Sequence, residues 1–493
     1  MWHGVLARER QTVNAVVLTP CARNGIFRYF DSWNNGNVNQ STVSSGAIPT
    51  IAVVDVNGNP LRPATNPDGS PYTGQLHYAS VFGPLPAALP AANADCSNIA
   101  ALVQPGANWD PNRKAIDPSG YVSKMLGIMP LPDNYENPTT LFTTVVNSDG
   151  LNTAGYRWIR HTHGSGDAVQ GTPFSGANTS RRQINGRFDH YFNERNKLGL
   201  SYTYELSYSD GTLSTGGIRT YPQSVDGHTY RRPQIMTTNF TSTFSPNLVN
   251  EARIGLRRTA GQVVSPFVED PTAQQDFRLN INGYPVFPKL GTVNGNTGNP
   301  NGNMPFGILP FGDQTNTSDA SPLWTYGDTI SWTKGKHAFK FGGELRKGYS
   351  KVADEGFVGG GIFSEPRLIG GDLTTSPISQ TAISSTNMPG LAGTNANGNN
   401  QRMRNLLSFL SGSLSGITQL YYVNSPTKLD AFDDYKSAPQ RVRDFRQNEF
   451  VFFAKDDWKV RRNLTLNLGV RWEYYGVPWE ASGLTPGFVG LGL

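Results

Sequence analysis

Three groups of residues in this chain have types and spacings that could do chemistry. His161-Thr162-His163, with Asp167 nearby, offers imidazole and carboxylate ligands of the kind zinc takes. An HxH in a glycine-rich loop has no fixed third ligand and no helix to hold it, so a surface loop is the plainer reading. Asp55-Val56-Asn57-Gly58-Asn59 alternates oxygen side chains as a calcium loop begins. Its glycine comes too early and the distal bidentate Glu is missing, which leaves a turn. Asp456-Asp457 resembles a carboxylate pair for acid–base work. Neighbours in a strand point to opposite faces, so the two cannot act on one substrate. The sequence holds no GxSxG elbow, no HExxH helix and no phosphate-cradling Walker loop. It therefore reads as a non-enzyme, with no metal and no cofactor implied.

The elements that would position such groups are strands. From Leu464 to Tyr474 the alternation is complete: Leu464, Leu466, Leu468, Val470, Trp472 and Tyr474 point one way, and Thr465, Asn467, Gly469, Arg471 and Glu473 the other. The run has the length a tilted strand needs to cross a bilayer, with one face for lipid and one for water. A second run, Leu198 to Tyr208, follows QINGRFDHYF (183–192) across Asn193-Glu194-Arg195-Asn196, which predicts a tight hairpin. The unit recurs at 234–244 with 251–261, 323–332 with 337–350, and 448–460 with 464–475. Their turns are Ser245-Pro246-Asn247, Lys334-Gly335-Lys336 and Arg461-Arg462-Asn463.

Between hairpins run long connections at 211–228, 262–322 and 353–446, rich in Gly, Asn, Pro and Ser. Short turns alternating with long loops are expected of a barrel whose two ends face periplasm and exterior. The expectation is an all-β, antiparallel transmembrane β-barrel of the bacterial outer membrane, in contact with its lipid, with about eight strands in 181–476. Residues 1–180 hold one candidate strand, TVNAVVL at 12–18, and then read as a long exterior insertion. RNLLSFLSGSLSGI (404–417) reads as a short helix or an apolar loop segment, and 477–493 as the start of a further outer loop.

Composition agrees. Only 16% of residues are charged, while Gly, Asn, Ser, Thr and Tyr abound, as in short strands joined by polar loops. A mean hydropathy of −0.42 and the lack of long apolar runs exclude a helical membrane protein, a test that barrels escape. The net charge of +5 is spread thinly and its Arg pairs are isolated, so nucleic acid is not an expected partner. Cys21 and Cys96 form no metal motif; a bridge and two unpaired loop thiols remain open. The ends, MWHGVLARERQTVN and GFVGLGL, show neither a signal peptide nor a closing strand and read as those of a fragment.

Face assignment gives the candidate site. Arg187, Asp189, Thr203, Glu205, Asn467, Arg471 and Glu473 are expected to face a lumen. There they would meet a plug and passing substrate, or simply keep the lumen hydrated and pair with one another. Trp324, Trp332, Trp458, Trp472 and Tyr474 are candidates for an aromatic girdle, with packing under a loop as the competing view. Asp456 falls on the side of Phe450, Phe452 and Ala454 and interrupts its apolar run.

Five segments in this order carry a family resemblance: VNAVVLTPCARNGIFRYFD (13–31), NGRFDHYFNERNKLGLSYTY (185–204), LVNEARIGLRR (248–258), GKHAFKFGGELRKG (335–348) and FFAKDDWKVRRNLTLNLGVRWEYYG (452–476). The last is the most specific. Together they make the chain resemble the Oar-like TonB-dependent outer-membrane receptors abundant in Acidobacteria. That resemblance implies a barrel of about 22 strands, exterior loops that capture a scarce, unidentified ligand, and import powered by the TonB–ExbB–ExbD system. The family's plug and TonB-contacting segment are not visible in this sequence. A surface adhesion barrel without TonB coupling is the alternative function.

Overall fold

Alternating side chains commit a segment to a strand only when a neighbour supplies the ladder, and here neighbours follow one another along the chain. The computed structural model describes residues 2–6, 9–40, 50–66, 68–83, 96, 108–136, 148–162, 178–210, 228–264, 279–281, 284–289, 317–354, 367–370, 383–392, 398–418, 422–432 and 441–484. Its main feature is an eleven-stranded antiparallel sheet, the wall. The wall strands are β1 (Trp2–Leu6), β2 (Asn178–Asn193), β3 (Asn196–Asp210), β4 (His228–Arg231), β5 (Gln234–Ser245) and β6 (Leu248–Val264). They continue as β7 (Thr317–Lys334), β8 (His337–Asp354), β9 (Arg441–Arg461), β10 (Leu464–Tyr475) and the short β11 (Trp479–Glu480). Successive strands pair, with β4 and β5 both lying between β3 and β6 and β11 returning onto β9.

The four predicted hairpins are present, each closed by a two-residue turn. Gly335 adopts φ +60°, the geometry a two-residue turn matched to strand twist needs, and the β7–β8 ladder runs into its turn without a break. The other three turns lack glycine, and each ladder shifts register just before the turn, between Tyr191/Asn193, Thr243/Ser245 and Lys459/Arg461. A bulge supplies the twist that the residues at the tip cannot. Asn193 completes its own turn by accepting from the Arg195 and Asn196 amides, both at 2.9 Å.

β4 and β5 are one strand interrupted at Arg232-Pro233, because proline has no N–H to donate. Neither register changes across the gap. Arg232 N still donates to Ala260 O at 2.7 Å and the Pro233 carbonyl accepts from Glu205 N at 3.0 Å.

The strands outrun the sequence estimate: β6 reaches Val264, β7 begins at Thr317, β8 reaches Asp354 and β9 begins at Arg441. Parts of the expected connections 262–322 and 353–446 are therefore ladder. The first wall strand also differs. It is Trp2–Leu6, paired with β2, whereas the segment containing TVNAVVL, Glu9–Leu18, pairs with Thr153–Thr162 as a separate ribbon.

Beyond that ribbon, at the long-loop end, two distant loops fold together. Helix α1 (Pro20–Arg23), strand Ile26–Phe30 and helix α2 (Tyr121–Ile128) come from the first loop, and helix α3 (Asn399–Leu410) from the last. Their apolar side chains form one cluster that includes Phe27, Phe82, Met125, Leu406 and Phe409, all nearly inaccessible. The apolar reading of 404–417 resolves as α3 followed by a short strand, Leu414–Thr418. Cys21 and Cys96 are disulfide-bonded, with Cα atoms 4.8 Å apart, and pack with Ile26. No helix among the described residues is long and apolar enough to cross a membrane.

Candidate functional site

The registers sort every wall side chain onto one of two faces, because directly paired residues share a face. Phe452 lies opposite Gly343 and Trp472; Phe341 lies opposite Ile330 and Ala454. Following such pairs across β2–β10 collects Ile184, Phe188, Leu200, Met236, Ile254 and Tyr326 onto the same face. All five aromatic candidates, Trp324, Trp332, Trp458, Trp472 and Tyr474, stand there. Much of this apolar surface is open: Phe188 and Phe452 are each 56% exposed and Val470 70%. Such an area of uncovered aromatic and aliphatic side chain is untenable in water.

The opposite face is charged and self-paired. Arg187 and Asp189 meet at 2.7 Å, Glu205 takes Arg181 at 2.6 Å, and Arg471 pairs with Glu473. Thr203 donates to Asn185 Oδ1 at 2.8 Å, and Asn467 sits opposite Asp457, which Lys455 holds at 2.9 Å. Residues the sequence reading missed complete the row: Arg346 bridges Glu344 at 2.6 Å and Glu449 at 3.5 Å. Several pairs sit two residues apart on one strand, a spacing that returns both to one face. Exposed pairs of this kind are screened by solvent and stabilise little, so their effect is polarity rather than stability.

Among the polar residues on the apolar face, Asp328 and Asp456 each take a partner across a strand boundary. Asp328 accepts from Asn250 Nδ2 at 2.6 Å and from the Thr329 amide at 2.9 Å. Asp456 is held by His337 Nδ1 at 2.7 Å, and the His337 ring stacks on Trp458 and Phe339. The interruption by Asp456 thus belongs to the true register. An open depression of about 820 Å³ also lies on this face, where Ala252, Asp328 and Gly343 are too small to fill the row between larger neighbours.

Comparison with known proteins fits this two-faced wall. A family model described as "Outer membrane beta barrel domain" matches residues 2–490. The chain belongs to that family. It is an outer-membrane β-barrel protein, as the alternation and hairpins predict. No curated protein matches the chain. A solved structure, the outer membrane transporter YddB from Escherichia coli, aligns over 68% of the chain at 11% identity and a TM-score of 0.31. The chain spans 30% of that transporter's length.

The barrel's folded cap gathers many of the buried polar groups. Asn399, at the start of α3, donates through Nδ2 to Trp33 O at 2.8 Å and accepts through Oδ1 from Asn35 N at 3.0 Å. Arg402 donates to Asn35 O at 2.7 Å, and burial lowers its pKa, partly offset by Asp149. The Asp149 carboxylate accepts from the Asn152 amide and side chain and from the Thr153 amide, so it ties a turn, and its charge also acts on Arg28 and Arg402. Tyr29 stacks on His77, and burial, with Asp31 nearby, pushes its pKa up to about 12. Asp55 proves to be a turn residue, accepting from the Asn57 and Asn59 amides at 2.9 and 2.8 Å. His161 and Thr162 end the Thr153–Thr162 strand, while His163 and Asp167 lie outside the described residues. Among the described residues no group of three or more His, Cys, Asp or Glu is placed to hold a metal. Sequence reasoning missed the cap's joint core, because its two halves, with Phe27 and Met125 in one and Leu406 and Phe409 in the other, lie far apart along the chain.

Proposed function

We propose that the chain forms part of the barrel wall of an Oar-like, TonB-dependent receptor. Its cap captures a scarce ligand outside the cell, and energy relayed through TonB–ExbB–ExbD draws that ligand through the lumen. The short turns then face the periplasm and the cap the exterior. Arg187, Asp189, Thr203, Glu205, Asn467, Arg471 and Glu473 line the lumen. The five aromatics meet lipid, and the depression at Gly343 takes acyl chains. The role is transport rather than catalysis.

The observation that carries the proposal is the combination of a two-faced wall with a folded cap built from two loops. A barrel needs only loops to seal its rim; a cap with its own core and buried polar network presents a fixed surface for recognition. The resemblance in the five segments supplies the TonB coupling.

The test is growth of a deletion strain on a panel of scarce nutrients. Loss of growth on one nutrient, reproduced by deleting the energy-coupling genes and restored by the full-length gene, supports the proposal. Unchanged uptake in cells without the energy-coupling system overturns it, and a defect confined to cell attachment favours an adhesion barrel.

A further inference from the structure

The two short turns that close β7–β8 and β9–β10 carry four cations, Lys334, Lys336, Arg461 and Arg462. Among the described residues none of the four has a carboxylate partner. The two acids on β9 just before its turn are held by other residues, Asp456 by His337 at 2.7 Å and Asp457 by Lys455 at 2.9 Å. The turns are laced together, Lys459 N donating to Lys336 O at 2.8 Å. They therefore stand about 10 Å apart, two strand spacings.

Their position relative to the apolar face identifies the partner. Lys334 pairs with His337, and its ammonium lies 5.2 Å from the centre of the Trp332 ring. The bulge between Lys459 and Arg461 sets Arg461 opposite Leu464, on the same face as Trp458 and Leu466. Two of the cations thus sit directly at the edge of an aromatic band made by Trp332, Phe339 and Trp458. In a bilayer that edge is the headgroup layer, where exposed Lys and Arg are attracted to anionic lipid.

We propose that this rim binds the phosphate of anionic glycerophospholipids in the periplasmic leaflet, with the aromatic band holding the glycerol and upper acyl chains. The inference rests on the orientation of the wall given under Proposed function. A soluble acidic partner would need the cations alone and would gain nothing from aromatics on the lipid side.

The experiment uses the full-length protein extracted from outer membranes, native mass spectrometry, and phosphatidylglycerol, phosphatidylethanolamine or lipopolysaccharide as probes. The variant is Lys334→Gln/Lys336→Gln/Arg461→Gln/Arg462→Gln, with heat-modifiable electrophoretic mobility as its folding control. The wild type is expected to retain phosphatidylglycerol about tenfold over phosphatidylethanolamine, and the variant less than about twofold. Lys334→Arg/Lys336→Arg should keep the preference. Equal retention of the two phospholipids, an unchanged preference in the variant, or selective retention of lipopolysaccharide would overturn the proposal. So would loss of binding to peptidoglycan or an acidic periplasmic protein with no lipid preference. Failure of the orientation itself would read differently: brominated acyl chains would leave Trp472 fluorescence unquenched.

Discussion

One contact in the joint between the two cap loops is made at a glycine, and replacing Gly390 with alanine should loosen the joint there. Gly390 has φ +77°, and its carbonyl accepts from Ser32 N at 2.8 Å. Holding a non-glycine residue in that conformation costs about 1–2 kcal/mol. The added Cβ would overlap the Asp31 carboxylate and come within 3.0 Å of the Asp31 Cα, so a side-chain rotation alone cannot relieve it. Displacing that carboxylate forfeits its bonds from Gln75 N and His77 Nε2, both at 2.8 Å, at about 1 kcal/mol each. The sum is about 3–4 kcal/mol, or roughly a 100- to 1,000-fold rise in the open population. Limited proteolysis of outer-membrane vesicles carrying the full-length protein would read it as faster cleavage within 383–410, with the barrel still heat-modifiable. Gly69→Ala is the control: φ is +83° there, but nothing lies within 4 Å of its new Cβ. Cleavage at the wild-type rate in Gly390→Ala, or equal acceleration by Gly69→Ala, would refute the reasoning.

Further outcomes follow from the wall and the cap. Phe341→Arg places a cation on the apolar face and should destabilise the barrel by about 2–4 kcal/mol in urea titrations in lipid, whereas Lys340→Gln on the charged face should change stability by less than about 1 kcal/mol. Cys21→Ser/Cys96→Ser removes a cross-link spanning 75 residues and should cost the cap about 2–4 kcal/mol, seen as faster amide exchange around Ile26 and Tyr78. Raising the pH should loosen the cap before the wall. Tyr29 titrates near 12 when folded and near 10 when unfolded, so its contribution is complete below pH 10 and is lost as pH climbs toward 12. Tyr72, also raised to about 12, adds to the same window. Near-ultraviolet circular dichroism unchanged up to pH 12 would contradict this.

The wall was legible because its physics is local. A period of two, a short polar gap and a second period of two define a hairpin without reference to anything distant, so all four hairpins could be read in advance. What escaped reading depends on partners far along the chain. His337 explains Asp456, yet 119 residues separate them. The segment TVNAVVL reads as a strand, but nothing in it says that its mate is Thr153–Thr162 instead of the wall. Trp2–Leu6 is too short to show a period. Strand ends were underestimated because polar residues such as Thr317 and Ser318, once past the apolar belt, continue the ladder without continuing the pattern.

The cap's two-loop origin also orders the protein's assembly. Helix α3 lies more than 200 residues downstream of the first loop's last strand, Thr153–Thr162, and β2–β8 come between. The first loop's share of the shared core, Phe27 and Met125 among it, has no complement until Leu406 and Phe409 arrive on the same side of the membrane. Contacts of such long sequence range form late and slowly. The cap is therefore completed only after the intervening strands have been inserted, which makes a finished cap a report that the wall beneath it has been built.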